Sequence, residues 1–213
     1  MSQKMEHQPV SLRERAHEIF RTAKAVAGKA EAEIILVSRV DEYLRFGNNE
    51  LAQSQYSTSR NLSVRIASEK KQGRVTTGTL DKASIEKTVE KAISQARNSP
   101  EDPDYLPMPG PQKYRSVDRY SEKTVEAPAE LKAGYIGSAM DLAKKNHLLA
   151  SGVLGTSIEH VMMLNTSGLE ASYRGTGGYF SLTMDADNGN QTGYALSTFG
   201  DIGELNPDEV SQT

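Results

Sequence analysis

The chain has 213 residues and a formal net charge of −3, which allows one large domain or two small ones and excludes the clustered basic surface that nucleic acid binding requires. It has no cysteine, which excludes disulfides and thiolate chemistry, and its 37% of hydrophobic and 25% of charged residues are typical of a globular protein. No segment has the roughly 20 apolar residues of a membrane helix or the apolar core of a signal peptide, so we expect a cytoplasmic protein with no membrane partner and no direct nucleic acid partner.

The first half begins with a polar segment, residues 1–10, that we expect to be disordered. A helix is predicted from Ser11, because apolar residues recur there at three- and four-residue steps, and Gly28 is typical of a helix end. The apolar stripe of this helix consists of Leu12, Ala16, Ile19, Phe20, Ala23 and Val26.

An antiparallel meander of four or five strands is predicted after this helix. Short apolar or alternating runs are separated by residues typical of turns, and Gly47–Asn49 is the clearest turn because Gly and Asn tolerate positive φ. The alternation predicts one buried face and one polar face. The predicted strands are residues 32–39, 42–46, 51–58, 62–66 and 74–79.

A second helix and a connector follow the meander. Asp81 is a typical N-cap for this helix, and its apolar stripe consists of Ile85, Val89, Ala92, Ile93 and Ala96. The next segment, "NSPEDPDYLPMPGPQ", holds five of the eight prolines and is predicted to be an extended connector.

The pattern then starts again with a helix and alternating strands. Turns are predicted at Asn165–Gly168 and at residues 187–193, and strands at 153–156, 158–164, 180–184 and 194–198. The apolar face of the helix consists of Leu131, Tyr135, Ala139, Leu142 and Ala143.

The two halves read as copies of one unit. With an offset of 118 residues, 35–72 aligns without gaps against 153–190, and the alternation agrees in phase over two separate strands. A one-residue slip would send every side chain to the opposite face, so this agreement favours a duplication. The preceding helices correspond at an offset about one residue larger. Identical pairs are Leu36 and Leu154, Leu51 and Leu169, Ser54 and Ser172, Thr58 and Thr176, and Ser63 and Ser181.

We therefore predict an α+β fold in which a helix-plus-antiparallel-meander unit is duplicated and the two structural repeats pack as one domain. The predicted segments are a disordered tail at 1–10, a first repeat at 11–97, a proline-rich connector at 98–128, a second repeat at 129–203 and the start of a following segment at 204–213.

Three patterns in the sequence have some features of chemical sites. "RGTGGYF" at Arg174–Phe180 is rich in glycine, but the third glycine of a dinucleotide loop is missing and a strand follows, so we interpret it as a turn or bulge. The histidines, His7, His17, His147 and His160, lack the spacing of a metal site, and His160 is interpreted as a satisfied or surface residue.

A third pattern, Asp185, Asp187 and Asn190, lacks the spacing of a calcium loop and is interpreted as a turn. The residues therefore predict no catalytic, cofactor-binding or metal-binding position in this chain. Two interpretations remain for the Ser/Thr-rich run Ser54–Ser63. It is either the polar face of the meander or the wall of a peptide groove, whose exposed edge would bind an extended peptide by strand addition.

The last residues, "ELNPDEV", are typical of a helix start, with Asn206 as N-cap and Pro207 as the first helical residue. A helix of about six residues has little reason to form alone. We therefore expect the chain to be the front part of a longer protein.

Residues 32–97 and the segment "TSGLEASYRGTGGYFSLTM" resemble the TldD/PmbA family, historically called modulators of DNA gyrase. The family's strand pair, its Ser-rich segment, its helix beginning near Asp81 and its later turn at Asn165–Gly168 all have counterparts in this sequence. The resemblance covers nearly the whole chain after residue 10.

The resemblance implies a metallopeptidase that acts on small or unfolded peptides. In the family, zinc lies in the C-terminal part on a helix with an HExxxH-type motif, where a zinc-bound water attacks the peptide carbonyl with a glutamate as base. No position of this sequence matches that motif, so the resemblance implies zinc in the full-length protein and no cofactor in this chain.

For this part of the family protein, the resemblance implies a contribution to the subunit interface and to the enclosure of the route to the metal. The partners would be a peptide substrate and a second subunit, in a homodimer or in a heterodimer with a family paralogue. The alternative is a non-catalytic partner or binding scaffold from the branch of the family that lacks the metal. Both hypotheses are kept, and whether this chain belongs to an enzyme stays open at this point.

Overall fold

The computed structural model describes residues 9–115, 117–186 and 191–212, and the side chains from residue 12 onward. The first half consists of α1 (Pro9–Ala27), β1 (Glu31–Gly47), β2 (Glu50–Ser68), β3 (Lys71–Thr77) and α2 (Lys82–Asn98). The second half consists of α3 (Glu122–Val125), α4 (Ala129–Lys145), β4 (Leu148–Asn165), β5 (Glu170–Ala186), β6 (Thr192–Phe199), a 3₁₀ turn (Ile202–Glu204) and α5 (Pro207–Gln212). The strand order in the sheet is β3-β2-β1-β4-β5-β6, and the predicted α+β class is confirmed.

The described chain has three strands in each half, so the prediction of four or five for the first half is wrong. β1 unites the predicted strands 32–39 and 42–46, and β2 unites 51–58 and 62–66. Polar residues such as Arg39 and Asp41 interrupt the hydrophobic alternation without ending the strand. The two lie two residues apart on the same face, where Arg39 Nε donates to Asp41 Oδ1 at 2.9 Å.

The turns and caps of the first half follow the sequence closely. The β1–β2 turn places Asn48 and Asn49 at φ values of 52° and 60°, as the Gly-Asn-Asn pattern predicts. Gly28 ends α1 at a φ of 64°, and its N–H donates to the Lys24 carbonyl at 3.1 Å. Asp81 caps α2, because its Oδ1 accepts from the Ser84 N–H at 3.0 Å. α1 begins two residues before the predicted start.

Two compact units divide the chain differently from the two sequence repeats. Unit 1 takes its described residues from Met1–Ser38, Ser59–Ser116 and His160–Tyr173, and unit 2 from Arg39–Thr58, Val117–Glu159 and Arg174–Thr213. The segment 39–58 contains the tip of the β1–β2 hairpin, and 160–173 contains the tip of the β4–β5 hairpin. Each unit therefore includes the hairpin tip of the other repeat.

Each unit has a hydrophobic core that contains this exchanged tip. In unit 1, α1 and α2 pack with β1 and β2, and the tip adds Met162 and Leu164. In unit 2, α4 packs with β4 and β5, and the tip adds Leu44 and Phe46, whose ring stacks on Phe180 with centroids 6.0 Å apart. Met162 and Leu164 lie 118 positions after Leu44 and Phe46, so the buried positions confirm the predicted offset.

The turns of the two hairpins carry matching hydrogen bonds to equivalent strand residues, although the bonding turn residues, Asn49 and Thr166, lie 117 positions apart. In unit 2, Asn49 N–H donates to the Ala150 carbonyl at 3.1 Å, and Ala150 N–H donates to Asn49 Oδ1 at 2.8 Å. In unit 1, Thr166 N–H donates to the Ala32 carbonyl at 2.9 Å, and Ala32 N–H donates to Thr166 Oγ1 at 3.1 Å. Ala32 and Ala150 are equivalent residues, so the exchange of tips is itself duplicated.

The helices α1 and α4 confirm the duplication at a larger offset than predicted. The buried residues of α4, namely Ile136, Ala139 and Ala143, each lie 120 positions after the buried residues of α1, namely Ala16, Ile19 and Ala23. The predicted face of α4 is therefore only partly correct, since Leu131 is exposed and its neighbour Lys132 is buried. The buried strand residues keep the offset of 118, so the spacing from the buried helix residues to the buried strand residues is two residues shorter in the second half.

The connector is irregular except for α3, and specific contacts tie its first part to unit 1. Tyr105 Oη donates to Glu31 Oε2 at 2.7 Å, and Met108, whose side chain is buried, donates from its N–H to the same oxygen at 3.3 Å. Asn165 Nδ2 donates to the Pro109 carbonyl at 2.9 Å. Burial, followed by the hydrogen bond to Glu31, raises the pKa of Tyr105 to about 12.

Candidate functional site

β2 has two parts with different neighbours. Leu62–Ser68 pairs with β3 in antiparallel register, from Leu62 opposite Thr77 to Ser68 opposite Lys71. The preceding residues, Glu50–Thr58, lie beyond the end of β3, and within the described ranges no other strand adjoins β2 on that side. We call Glu50–Thr58 the open edge, and it lies within unit 2.

The open edge is exposed on both faces. Leu51 is 51% and Tyr56 is 58% exposed, and among the nine residues only Ser57 is half-buried. Glu50 is the one charged residue in this stretch, which contains neither lysine nor proline. Edge strands are ordinarily protected from pairing by charges, prolines or bulges. An unprotected edge of nine residues is therefore a template for the addition of another strand.

The equivalent edge of β5 is occupied by the chain itself. β6 pairs with β5 only from Gly178 to Asp185. The stretch of β5 around Thr176, just before Gly178, is bound instead by the second part of the connector, and we call it the occupied edge. Thr176 N–H donates to the Arg119 carbonyl at 2.7 Å, and Ser121 N–H donates to Thr176 Oγ1 at 3.0 Å. The segment Arg119–Ser121 is thus bound to the strand edge through its backbone.

A side-chain contact accompanies these backbone bonds. The guanidinium carbon of Arg174 lies 3.6 Å from the centroid of the Tyr120 ring, which is a cation–π geometry. Arg174 and Thr176 are two residues apart and therefore project from the same face of β5. The occupied edge consequently binds its segment by one backbone–backbone hydrogen bond, one hydrogen bond from a backbone N–H to the Thr176 hydroxyl, and one stacked cation.

A cleft of about 920 Å³ lies beside this segment in unit 2. Its lining includes the backbone of Gly177, Gly178 and Gly200 and side chains of both charges. The N–H of Gly203 donates to Asp201 at 2.7 Å, and this bond is the main cause that lowers the pKa of Asp201. The acidic and basic side chains of the lining are Asp118, Glu122, Asp201 and Glu204, and Arg119 and Lys123.

The residues that the structure describes do not fit a zinc site. In the part of the chain that the structure describes, no group of three or more His, Asp or Glu side chains is arranged to hold a metal ion. His17 Nε2 lies 3.4 Å from Glu170, while His160 is buried in unit 1 and His147 follows α4 at a φ of 57°. His7 lies outside the described residues.

Two family models match the sequence. The model described as PmbA/TldA metallopeptidase domain 1 matches residues 32–96, and the model described as PmbA/TldA metallopeptidase central domain matches residues 118–213. The chain belongs to the PmbA/TldA family. Among curated proteins, no sequence matches it.

Solved structures share the PmbA/TldA fold at low sequence identity. A candidate modulator of a DNA gyrase from Thermotoga maritima MSB8 has a TM-score of 0.80 at 21% identity, covering 94% of this chain and 46% of that one. TldE from Thermococcus kodakarensis has a TM-score of 0.79 at 19% identity, covering 93% and 46%. A candidate modulator of DNA gyrase from Bacteroides thetaiotaomicron VPI-5482 has 0.79 at 15%, covering 95% and 48%. The chain thus spans less than half the length of these structures.

The glycine-rich segment of this PmbA/TldA chain has a packing role that the sequence analysis did not find. All of Arg174–Phe180 lies within β5, so of the two structures predicted for this segment, a turn or a bulge, the turn is wrong. A Cβ atom on Gly178 would lie 2.4 Å from the Phe199 ring and 2.6 Å from the Gly155 carbonyl oxygen. Glycine is required there because Phe199 packs directly against the strand backbone.

A buried ion pair was also missed. Lys132 Nζ donates to Glu42 Oε2 at 2.5 Å, and both residues lie in unit 2. At the offsets observed, their counterparts in the other repeat are Leu12 and His160. The burial of Lys132 could have been predicted from the offset between the two helices, because an offset of 120 places Lys132 at the core-facing position of Leu12.

The remaining predictions concern the turn before β6, the cap of α5 and membrane-spanning helices. Of the three residues of the calcium-like pattern, Asp185 accepts at its Oδ1 from the Thr192 hydroxyl at 2.6 Å, while Asp187 and Asn190 lie outside the described residues. The predicted cap of α5 is confirmed, because Asn206 Oδ1 accepts from the Glu209 N–H at 3.4 Å. Across the described ranges, no helix combines the length and the apolar character needed to cross a membrane.

Proposed function

We propose that this chain is the peptide-enclosing part of a cytoplasmic PmbA/TldA metallopeptidase that hydrolyses small or unfolded peptides. The observation that carries the proposal is the match to two successive domains of this metallopeptidase family, at residues 32–96 and 118–213. The open edge, Glu50–Thr58, adds a surface suited to an extended chain, because its backbone has no strand neighbour among the described residues on the side of β3.

The catalytic zinc belongs, in this proposal, to the half of the family protein's length that this chain does not span. The described residues offer no ligand set for it. The role of this chain is accordingly to bind and enclose the peptide, and to contribute to the contact between subunits.

An exposed apolar strip on β6 supports the subunit contact. Tyr194 is 65% and Leu196 is 54% exposed, and they lie opposite Thr183 and Ser181 of β5. Alternation along the strands places both on the face opposite the core residues Phe180 and Leu182. Exposed aromatic and aliphatic residues on one face are typical of the centre of an interface.

Metal content and hydrolysis test the proposal together. The 213-residue chain and the product of the complete gene would be purified separately, analysed for zinc and incubated with reduced, unfolded α-lactalbumin. We expect stoichiometric zinc and hydrolysis only for the complete product, alone or with its paralogue. Native α-lactalbumin with intact disulfides is the control and should stay uncut.

Two outcomes would contradict the proposal. One tightly held zinc per 213-residue chain would show that the metal site lies within this part of the family protein. A complete product that holds no zinc and cuts nothing, even with its paralogue, would instead support the alternative of a non-catalytic binding partner.

The proposed subunit interface on β6 is tested by a substitution that introduces a charge there. Leu196→Lys should lower the dimeric fraction of the complete product in light scattering, because a lysine in an apolar contact loses its hydration. Leu106→Lys is the matched control, since Leu106 is equally apolar, lies on the connector and is 79% exposed. Equal dimerisation of both variants would place the interface elsewhere.

A further inference from the structure

Thr58 on the open edge is the counterpart of Thr176 on the occupied edge. The two are identical residues separated by the offset of 118 positions that relates the buried strand residues of the two repeats. Thr176 binds an extended segment of the chain through its N–H and its hydroxyl. In the second repeat, the strand residue Thr176 is bound to an extended segment. In the first repeat, the equivalent Thr58 lies on an exposed strand edge and can make the same hydrogen bonds.

The direction of the backbone groups follows from this equivalence. Thr176 N–H points out of the sheet edge, because it donates to Arg119 rather than to β4. Outward N–H groups recur at every second residue of a strand. By the offset, the N–H groups of Ser54, Tyr56 and Thr58 point out of the open edge, and those of Gln55 and Ser57 point towards β1.

We propose that the open edge binds an extended peptide by strand addition, with Thr58 as the anchor and a basic residue of the peptide stacked on Tyr56. Thr58 N–H donates to a peptide carbonyl, and Thr58 Oγ1 accepts from the N–H two residues further along the peptide, as Thr176 does with Arg119 and Ser121. The inference rests on the proposed function for the class of its ligand, and it names the place and the mode of binding.

The preference for a basic residue follows from which partner supplies the aromatic ring of the cation–π contact, since the strand and the bound segment are reversed in this respect between the two repeats. In the occupied edge, the strand supplies Arg174 and the bound segment supplies Tyr120. At the open edge the residue equivalent to Arg174 is Tyr56, which is 58% exposed. A peptide with Arg or Lys at the position of Tyr120 restores the same cation–π contact.

A peptide fits this edge better than a second copy of the chain does. Two copies paired along Glu50–Thr58 would bring together mostly Ser, Gln and Thr side chains that are exposed on both faces. Stable contacts between folded chains need an apolar centre, which this stretch does not provide. An extended peptide needs none, because main-chain hydrogen bonds supply its affinity.

The probe is a labelled, acetylated and amidated peptide with the sequence of Val117–Lys123 that carries Tyr120→Arg. It would be titrated into the 213-residue chain by fluorescence anisotropy. Methylation of the backbone nitrogen at the position of Ser121 should weaken binding by about threefold to tenfold, since it removes one hydrogen bond. A second peptide with Tyr120→Ala should bind about twofold to fivefold more weakly than the probe.

Variants of the chain locate the site. Thr58→Val keeps the shape of the side chain and removes the accepting hydroxyl, so binding should weaken by about twofold to tenfold. Ser57→Ala is the matched control: it also removes a hydroxyl, but from the neighbouring residue whose backbone faces β1, and it should leave the affinity unchanged.

Amide hydrogen exchange gives an independent readout. Bound probe should slow the exchange of the Tyr56 and Thr58 amides and leave those of Gln55 and Ser57 unchanged. Uniform protection, or binding that survives N-methylation, would overturn strand addition. Protection of the same alternate amides that rises with the concentration of the free chain would show that a second copy occupies the edge, which also overturns the proposal.

These measurements need no hydrolysis, so the two proposals fail separately. If the probe binds at the open edge and the complete product has no peptidase activity, the proposed function is wrong and this inference is supported. If the complete product hydrolyses peptides and the probe does not bind at the open edge, the proposed function is supported and this inference is wrong.

Discussion

Leu51 and Leu169 are the same residue at equivalent positions of the two repeats, and their environments are opposite. Leu51 is 51% exposed within the open edge, whereas Leu169 is 3% exposed near the turn of the β4–β5 hairpin. Leu169 N–H donates to Asn165 Oδ1 at 3.0 Å, and Asn165 in turn donates to the Pro109 carbonyl of the connector. The connector is therefore hydrogen-bonded to the turn that precedes Leu169.

This comparison shows how a duplicated fold becomes asymmetric. Strand register and core positions were copied, as the equivalent residues Leu44 and Met162 show. The connector was not copied, because a chain of two repeats has only one segment between them. It covers the tip of the second hairpin and the edge of β5, and the first hairpin keeps its edge open for another chain.

Truncation of the two leucines is the strongest test of this asymmetry. Leu169→Ala should lower the free energy of unfolding by about 2–5 kcal/mol, since it leaves a cavity in a buried site. Leu51→Ala, an identical truncation on an exposed strand, should change it by less than about 0.5 kcal/mol. Urea unfolding followed by circular dichroism measures both. Equal losses would mean that the tip of the first hairpin is buried in solution.

Proline scanning of the open edge separates outward from inward backbone groups. Ser57→Pro removes an N–H directed at β1 and with it a hydrogen bond of the ladder, so it should cost about 1–3 kcal/mol. Thr58→Pro removes an N–H directed at solvent, which edge strands tolerate, and should cost clearly less. Thermal unfolding of the two variants gives the comparison, and a larger loss for Thr58→Pro would reverse the assigned directions of the two N–H groups.

The buried ion pair of unit 2 allows a comparison between Lys132 of α4 and the equivalent Leu12 of α1. Glu42→Gln should cost about 1–3 kcal/mol, because the buried Lys132 ammonium loses its counter-charge but keeps a hydrogen-bond acceptor. Adding Lys132→Met should recover part of that loss, since Leu12 occupies the equivalent position of α1. A double variant less stable than Glu42→Gln would contradict this account. Denaturant unfolding of the four species closes the cycle.

The smallest expected effect concerns the contact of the connector with Glu31. Tyr105→Phe removes one hydrogen bond and should cost about 0.5–1.5 kcal/mol at neutral pH. The folded chain holds the Tyr105 proton up to a pKa of about 12, whereas an unfolded tyrosine releases it near 10. The unfolded chain thus binds fewer protons between these values, so the free energy of unfolding falls as pH rises from about 10 to about 12.

That part of the pH dependence should disappear in Tyr105→Phe and persist in Tyr114→Phe, which changes an exposed tyrosine of the same connector. Unfolding at several pH values from neutral to alkaline measures it. An unchanged alkaline loss in Tyr105→Phe would assign the dependence to other groups.

The local features of this fold could be predicted because each depends on a few neighbouring residues. Gly28, Asp81 and Asn206 act at the helix ends where the sequence placed them. The phase of the strands also followed from alternation, since a buried face and a period of two leave a single register.

Features set by distant contacts could not be predicted in the same way. Lys132 is a polar residue by composition and becomes a core residue only because Glu42, 90 positions away, meets it. Alternation fixes which face of a strand is buried but not which repeat buries it, so the exchange of hairpin tips left no local signal. Of the site, the sequence offered two interpretations of the Ser/Thr-rich run, and the exposure of Glu50–Tyr56 favours the edge that can add a strand.

The exchanged tips have a consequence for synthesis on the ribosome. When Asn98 has left the exit tunnel, every helix of unit 1 has been delivered, yet Met162 and Leu164 of its core have not. Neither unit can be completed by an uninterrupted length of nascent chain, and closing such long loops slows the search for the native state. The first half must therefore wait in a partly assembled condition, without the apolar contacts of Met162 and Leu164, until Tyr173 has also left the exit tunnel.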